Sequence, residues 1–232
     1  MLILGVESAT AQVGCAIGGH EGVLASSHAA RGKRHAESLA PQIEFTLQQA
    51  RVTIDEISVV AVDVGPGLYT GLRVGISTAM ATAFGLGVPM IGVSSLDLVA
   101  FPVRHTRRLI AATIDARRGE VFTAFYRHVP GGVQRVSEPR VLSPDDLYAE
   151  LMAASTECLV VGDGALRYQE LFSSITKVEV ADESLAFPSA NSLVALAHAR
   201  ALREEFVQPA EIQPLYLRRP DAEVNWQTRP VA

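Results

Sequence analysis

ISVVAVDVGPGLYTGLRVGISTAMATAFGLGVPMIGV, residues 57–93, reads as a strand, a glycine turn, a helix and a second strand. Ile57 to Val64 is a run rich in β-branched residues, the pattern of a strand buried on both faces of a parallel sheet. The turn at Gly65 leads into a helix predicted from about Thr70 to Leu86, and Pro89 to Val93 forms the next strand. Upstream, Met1 to Val6, Val13 to Ile17 and Val23 to Ser27 are strand-length apolar runs separated by glycine-containing turns, which predicts a meander. His35 to Ala50 sets Leu39, Ile43 and Leu47 four apart, with Glu37 in the first turn and Arg51 at the end, so a helix with one apolar face joins the meander to Ile57. The order βββαβαβ implies an α/β lobe with a mixed sheet.

The second half repeats that order. Arg108 to Asp115 and Val121 to Arg127 read as a hairpin, a third strand lies near Val133 to Val141, and a helix begins at Ser143-Pro144-Asp145-Asp146, a serine cap followed by proline and two acids. Leu159 to Val161 is the next strand, Gly162-Asp163-Gly164 the next turn, and Ala190 to Phe206 a long helix. In each half an apolar strand ends in an acid, Glu7 or Asp115, and the next strand opens six residues later at Val13 or Val121. Two lobes on one βββαβα plan resemble the actin, sugar-kinase and Hsp70 superfamily. The expected division is an actin-like lobe at 1–104, a second at 105–215 and a tail at 216–232.

Composition narrows the function classes. The 232 residues are 48% hydrophobic and 19% charged with a net charge of −5, which excludes a disordered polyelectrolyte and disfavours an unaided nucleic-acid clamp. Cys15 and Cys158 lie far apart in apolar runs and read as buried thiols of a reducing compartment, so a cytoplasmic location is expected. Val74 to Leu96 carries no charge, but Gly85, Gly87 and Pro89 interrupt it, so no membrane span is expected. The six histidines include no pair three or four apart, and neither Ser77 nor Ser94 sits in a Gly-x-Ser-x-Gly elbow, which leaves metal and serine-hydrolase chemistry without support and predicts no cofactor.

Two turns are candidates for anion or nucleotide contact. Gly65 and Gly67 free the backbone before a helix N-terminus, although Leu72 follows Gly71 where a phosphate-binding loop needs a lysine. Glu7, Ser8 and Thr10 in the first turn, and Asp115 beside Arg117 and Arg118 in the second, occupy the places where actin-type proteins grip a nucleotide. The alternative reading, that these glycines serve packing alone, stays open. A small ATP-dependent kinase using Asp63 as base and a metallopeptidase-like hydrolase are the competing functions. The short basic clusters at Arg31 to Arg34, Arg104 to Arg108 and Arg218-Arg219 read as solvated faces.

GPGLYTGLRVG at 65–75 resembles the signature of the TsaB (YeaZ) family, with Tyr69 where that family often has phenylalanine. ILGVESAT at 3–10, DARRGEVF at 115–122 and PLYLRRP at 214–220 are similar to its opening turn, its mid-chain hairpin and its C-terminal segment. The resemblance implies a cytosolic, non-catalytic partner in making N6-threonylcarbamoyladenosine beside the anticodon of tRNAs that read codons beginning with adenine. It implies that the paralogous TsaD performs the transfer, that TsaE takes part and that tRNA is met only within the complex; a homodimer is expected in isolation, through the helix surface named below. Alignment to the catalytic paralogue puts its two metal-binding histidines on Ser95 and Val99, neither a fit ligand. A partner surface is expected on the two N-terminal helices at Ala36, Leu39, Ala40, Ile43 and Leu47, and at Leu72, Ala79, Met80 and Ala83. The competing reading makes all of these core.

Overall fold

A computed structural model describes residues 1–30 and 35–218. The basic cluster read at 31–34, and the expected tail from 219 onward, lie outside the described residues. The first lobe runs β1 (Leu2–Glu7), β2 (Val13–Gly19), β3 (Gly22–Ala29), α1 (His35–Ala50), β4 (Ile57–Gly65), α2 (Tyr69–Leu86), β5 (Met90–Ser94) and α3 (Ser95–Ala100). Its five-stranded sheet has the order β3-β2-β1-β4-β5, antiparallel through the meander and parallel from β1 to β5. The second lobe runs β6 (Leu109–Arg117), β7 (Glu120–Val129), β8 (Gly132–Arg135), β9 (Arg140–Leu142), α4 (Pro144–Ala153), β10 (Cys158–Val161), α5 (Asp163–Arg167), α6 (Gln169–Ser173), β11 (Val178–Val180) and α7 (Ala190–Ala201). Its order β8-β7-β6-β10-β11 reproduces that of the first sheet, with β6 and β10 parallel as β1 and β4 are. This is the duplicated, actin-like two-lobe architecture that the strand order predicted.

Both faces of the first sheet are apolar, and successive residues serve opposite layers. Leu4, Val60 and Val62 face Leu39, Ile43, Leu72 and Ile76 of α1 and α2. Ile3, Val59 and Ala61 face Leu193, Val194 and Ala197 of α7. Thus α7, within the span expected for the second lobe, packs on the first sheet, and Met90 pairs with Val207 at its edge. The exchange is mutual, because Leu96, Val99 and Ala100 of α3 pack with Ile110, Ile114 and Phe122 of the second sheet. Each repeat therefore ends in a helix that crosses to the other.

Among the departures from expectation, which include the helix α5 where a turn was read at 162–164, two have a local cause. The strand read at 133–141 divides into β8 and β9, both paired with β7, because Pro139 has no N–H for a ladder and Ser137 donates its place to a side-chain bond, its Oγ accepting from the Phe125 N–H at 2.8 Å. The helix read to Phe206 ends at Ala201, where Glu204 adopts φ 58° and turns the chain toward Met90. Ser143 caps α4 as expected, accepting from the Asp146 N–H at 3.1 Å. No helix among the described residues is long and apolar enough to cross a membrane.

The burial of α1 and α2 corrects the expected partner surface. Leu39, Ile43, Leu72, Ala79 and Ala83 are core, and Leu47 and Met80 pack against that core half-buried, because the sheet beneath needs this stripe to close its face. Of the expected set only Ala36 and Ala40 are exposed. The outward sides instead carry Phe45 on α1, 52% exposed, and Phe84 on α2, 83% exposed. Ile43→Val is expected to cost about 0.5–1.5 kcal/mol of stability, whereas Phe84→Ala should stay within about 0.5 kcal/mol. Urea denaturation of the two variants checks the contrast.

Candidate functional site

The glycine turn between β4 and α2 clamps the turn after β1. The Leu68 N–H donates to the Ala9 carbonyl at 2.7 Å, and the Ser8 hydroxyl donates to the Gly71 carbonyl at 2.8 Å. Gly67 is required because a Cβ there would stand 2.2 Å from the Ala9 carbonyl oxygen. Gly65 takes φ 102°, a region closed to most side chains, and the Leu215 N–H donates to the Val64 carbonyl beside it at 2.7 Å. The sequence-predicted residues Glu7, Ser8, Thr10, Gly65 and Gly67 therefore do come together. The Ser8 hydroxyl and the Leu68 N–H are taken up by bonds between the two turns, and this favours the packing reading over an anion cradle.

Under the clamp lie two buried carboxylates. Glu7 is fully buried, its Oε1 accepting from the Ala9 N–H at 2.8 Å and its Oε2 without a partner. Asp63 is also buried, its Oδ1 accepting from the Gly65 N–H at 2.8 Å and the Ser95 hydroxyl at 2.6 Å, its Oδ2 without a partner. Loss of solvent, with the Asp63 charge nearby, pushes Glu7 well above the usual carboxylate range. Loss of solvent raises Asp63 to about 7, against the lowering effect of the Ser95 and Gly65 bonds. A base that is 2% exposed and already bonded on one oxygen does not reach a substrate hydroxyl, so Asp63 does not suit the kinase role considered for it.

The second turn lies across the interlobe crevice. Asp115 ends β6 with its Oδ2 accepting from Arg117 at 3.0 Å and from Arg167 at 3.1 Å, and its Oδ1 accepting from the Arg117 N–H at 2.9 Å. The Asp115 N–H donates to Asp163, which burial raises to about 6. Ala9, Thr10, Leu68, Asp115, Arg117 and Asp163 line a crevice too narrow to admit a water molecule. Small-molecule pockets run to roughly 300–1,000 Å³, so these turns do not enclose a nucleotide-sized space.

Ser95 and Val99, the positions expected to align with metal-binding histidines of the catalytic paralogue, sit one helical turn apart on α3 and are both buried. Ser95 is committed to Asp63, and Val99 lies against Gly162, where an added Cβ would be 3.2 Å from Val99 Cγ1. Among the described residues no group of three or more His, Cys, Asp or Glu could hold a metal ion.

Sequence reading missed one polar centre. Asp97 accepts from the Tyr126 hydroxyl at 2.9 Å and from Arg135 at 2.7 Å, and pairs with Arg200 of α7 at 3.5 Å, in a back groove of about 820 Å³ between the lobes. Its signal was present: Asp97 is the sole charge between Arg73 and Arg104.

Residues 23–226 match the family described as TsaD: tRNA N6-adenosine threonylcarbamoyltransferase. The chain is 28% identical over 233 residues to the Escherichia coli (strain K12) tRNA threonylcarbamoyladenosine biosynthesis protein TsaB, covering 99% of each chain. It is 36% identical over 225 residues to an uncharacterized Mycobacterium leprae protein, covering 95% of this chain and 56% of that one, so it spans little more than half of that relative. The solved structure of YeaZ from Pseudomonas aeruginosa superposes with a TM-score of 0.80 at 27% identity, over 93% of this chain and 99% of that one.

Proposed function

The chain belongs to the TsaB (YeaZ) family, within the wider threonylcarbamoyltransferase family that its residues 23–226 match, and from that premise we propose that it is the non-catalytic partner of TsaD in tRNA threonylcarbamoyladenosine biosynthesis. The modified base lies beside the anticodon of tRNAs reading codons that begin with adenine, and the chain works in the cytoplasm, with TsaE as a further component. The observation that carries the reading is on α3: where the catalytic relative is expected to hold a metal, this chain has a serine bonded to Asp63 and a valine in the core. Without a ligand set there, the contribution is made through a surface.

That surface is the outward side of α1 and α2 around Phe45 and Phe84. Two large aromatics exposed on neighbouring helices lose their hydration only against a partner, and aromatic anchors commonly dominate such contacts. TsaD covers this face in the complex, and a second copy covers it in the isolated protein, giving the expected homodimer.

Reconstitution tests both statements. TsaD, TsaE, threonylcarbamoyl adenylate and tRNA should form product only when this chain is added, and the chain alone should form none. Phe84→Asp should fold normally by circular dichroism yet bind TsaD at least about tenfold more weakly, the loss of one hot-spot side chain. Product from the isolated chain, or undiminished TsaD binding by the folded variant, would overturn the corresponding half of the reading.

A further inference from the structure

The back groove is walled by elements of two different layers. From α7, which covers the first sheet, come Leu196, Ala199 and Arg200, and from the β7–β8 hairpin of the second sheet come Val133 and Arg135. Tyr126 is the cross-strand partner of Arg135 and His128 that of Val133, so Tyr126, Val133 and Arg135 share the face of the hairpin that is turned to the groove. Asp97 stands between the walls and fixes the charges there. Its Oδ1 accepts from Arg135 Nη2 at 2.7 Å and from Arg135 Nε at 3.3 Å, and its Oδ2 faces Arg200, whose Nη1 donates to the Gly92 carbonyl at 2.7 Å. Both guanidinium groups are therefore tied along one edge only. A guanidinium carries five N–H groups, and among the described residues neither Arg135 Nη1 nor Arg200 Nε makes a hydrogen bond. The two side chains are 32% and 31% exposed. Of the other charges along the groove, Arg203 is bound to Glu205, and Glu138 stands exposed at the rim.

We propose that this groove binds a small organic anion, its carboxylate or phosphate held by Arg135 and Arg200 and its apolar body laid between Val133 of the hairpin and Leu196 of α7. The volume, about 820 Å³, falls within the roughly 300–1,000 Å³ of small-molecule sites, which combine apolar walls with a few convergent polar groups. An oxyanion is the ligand group that takes N–H donors from two guanidinium groups at once, through short charge-assisted bonds. Asp97 is the positioning residue: it holds both arginines before a ligand arrives, so little side-chain freedom is left to lose on binding. A ligand seated here touches a helix of the first layer and a hairpin of the second, and so ties the two lobes together. None of the described residues of α1 or α2 lines the groove, so the site stands independently of the reading under Proposed function.

Isothermal titration calorimetry of the full chain with octanoate, octyl phosphate, octanol and inorganic phosphate is the test. Octanoate or octyl phosphate should bind saturably at a single site, the tighter of the two naming the head group. Octanol has the body without the charge and inorganic phosphate the charge without the body, and each should bind at least about tenfold more weakly than the better anion. Arg135→Met should weaken that anion by about tenfold or more, the loss of a charge-assisted hydrogen bond, and leave octanol unchanged. Because this variant also takes a partner from Asp97, Ala199→Phe provides a second: the position is exposed on α7, every charge is kept, and the ring fills the groove. It should melt like the parent and bind the anion at least about tenfold more weakly. Arg127→Met, on the opposite face of β7 from Tyr126, loses the same charge and should bind as the parent does. Octanol bound as tightly as the anions, no saturable binding of either anion, undiminished binding by the folded Ala199→Phe variant, or an equal loss in Arg127→Met each overturns the proposal.

Discussion

Gly67→Ala is expected to lower the stability of the fold by about 2–6 kcal/mol, combining roughly 1–3 kcal/mol of overpacking with the loss of two hydrogen bonds at about 0.5–1.5 kcal/mol each. The added Cβ meets a backbone carbonyl at 2.2 Å, so no rotamer change relieves it, and the turn must lift off Ala9. Lifting the turn parts the Leu68 N–H from the Ala9 carbonyl and the Ser8 hydroxyl from Gly71. For a chain of this size the melting temperature should fall by about 4–24 °C, at roughly 2–4 °C per kcal/mol. Gly85→Ala on the same helix has nothing within 4 Å of the added carbon and should instead stabilise by about 0.5–1 kcal/mol. Thermal melts of the two variants decide whether the glycine turn is a clamp; equal melting temperatures would refute it.

Asp63→Asn should make the protein more stable at pH 8 and remove a pH dependence that the parent shows. Asp63 titrates near 7 in the folded chain against about 3.9 for an unfolded aspartate, and Glu7 is raised in the same direction. A carboxyl raised on folding binds more protons in the folded state between those values, so its contribution to stability is full below about pH 4 and is lost as pH rises through 7. At about 1.4 kcal/mol per unit, the loss is on the order of a few kcal/mol. Asparagine keeps the carbonyl oxygen that accepts from Gly65 and Ser95, and puts an amide donor where Asp63 Oδ2 has no partner. Urea denaturation from pH 4 to pH 8 should give a falling stability for the parent relative to the variant. Parallel curves would show that Asp63 is ionised in the folded chain without cost.

The strands were legible because their cause is local. Ile57 to Val64 is apolar at successive positions since both of its faces are covered, and α1 was read at its observed ends from the spacing of Leu39, Ile43 and Leu47. The same spacing misdirected the search for a partner surface. An apolar stripe shows which side of a helix avoids water, and here one sheet uses all of it; Phe45 and Phe84 fall outside the stripe and so carry no period. The turns at Glu7 and Gly65 were found, but a glycine does not reveal whether the room it leaves is for a ligand or for another backbone, and the Ala9 carbonyl that fills it is remote in sequence. The pairing of Glu7 with Asp63 was likewise hidden by the distance along the chain between them. Helix α3, SLDLVA, is too short to display a period, and nothing in the composition of α7 says which of two sheets it covers.

The crossing of α7 also has a consequence during synthesis. Ile3, Val59, Ile91 and Val93 form the layer that α7 closes, yet they leave the ribosome long before Leu193 and Val194 do. At roughly 5–20 residues per second, about 5 to 20 s pass between translation of β5 and of α7. Throughout that interval the nascent N-terminal half presents an oily sheet with no cover of its own, a substrate for chaperones and a template for aggregation until the last third of the chain arrives.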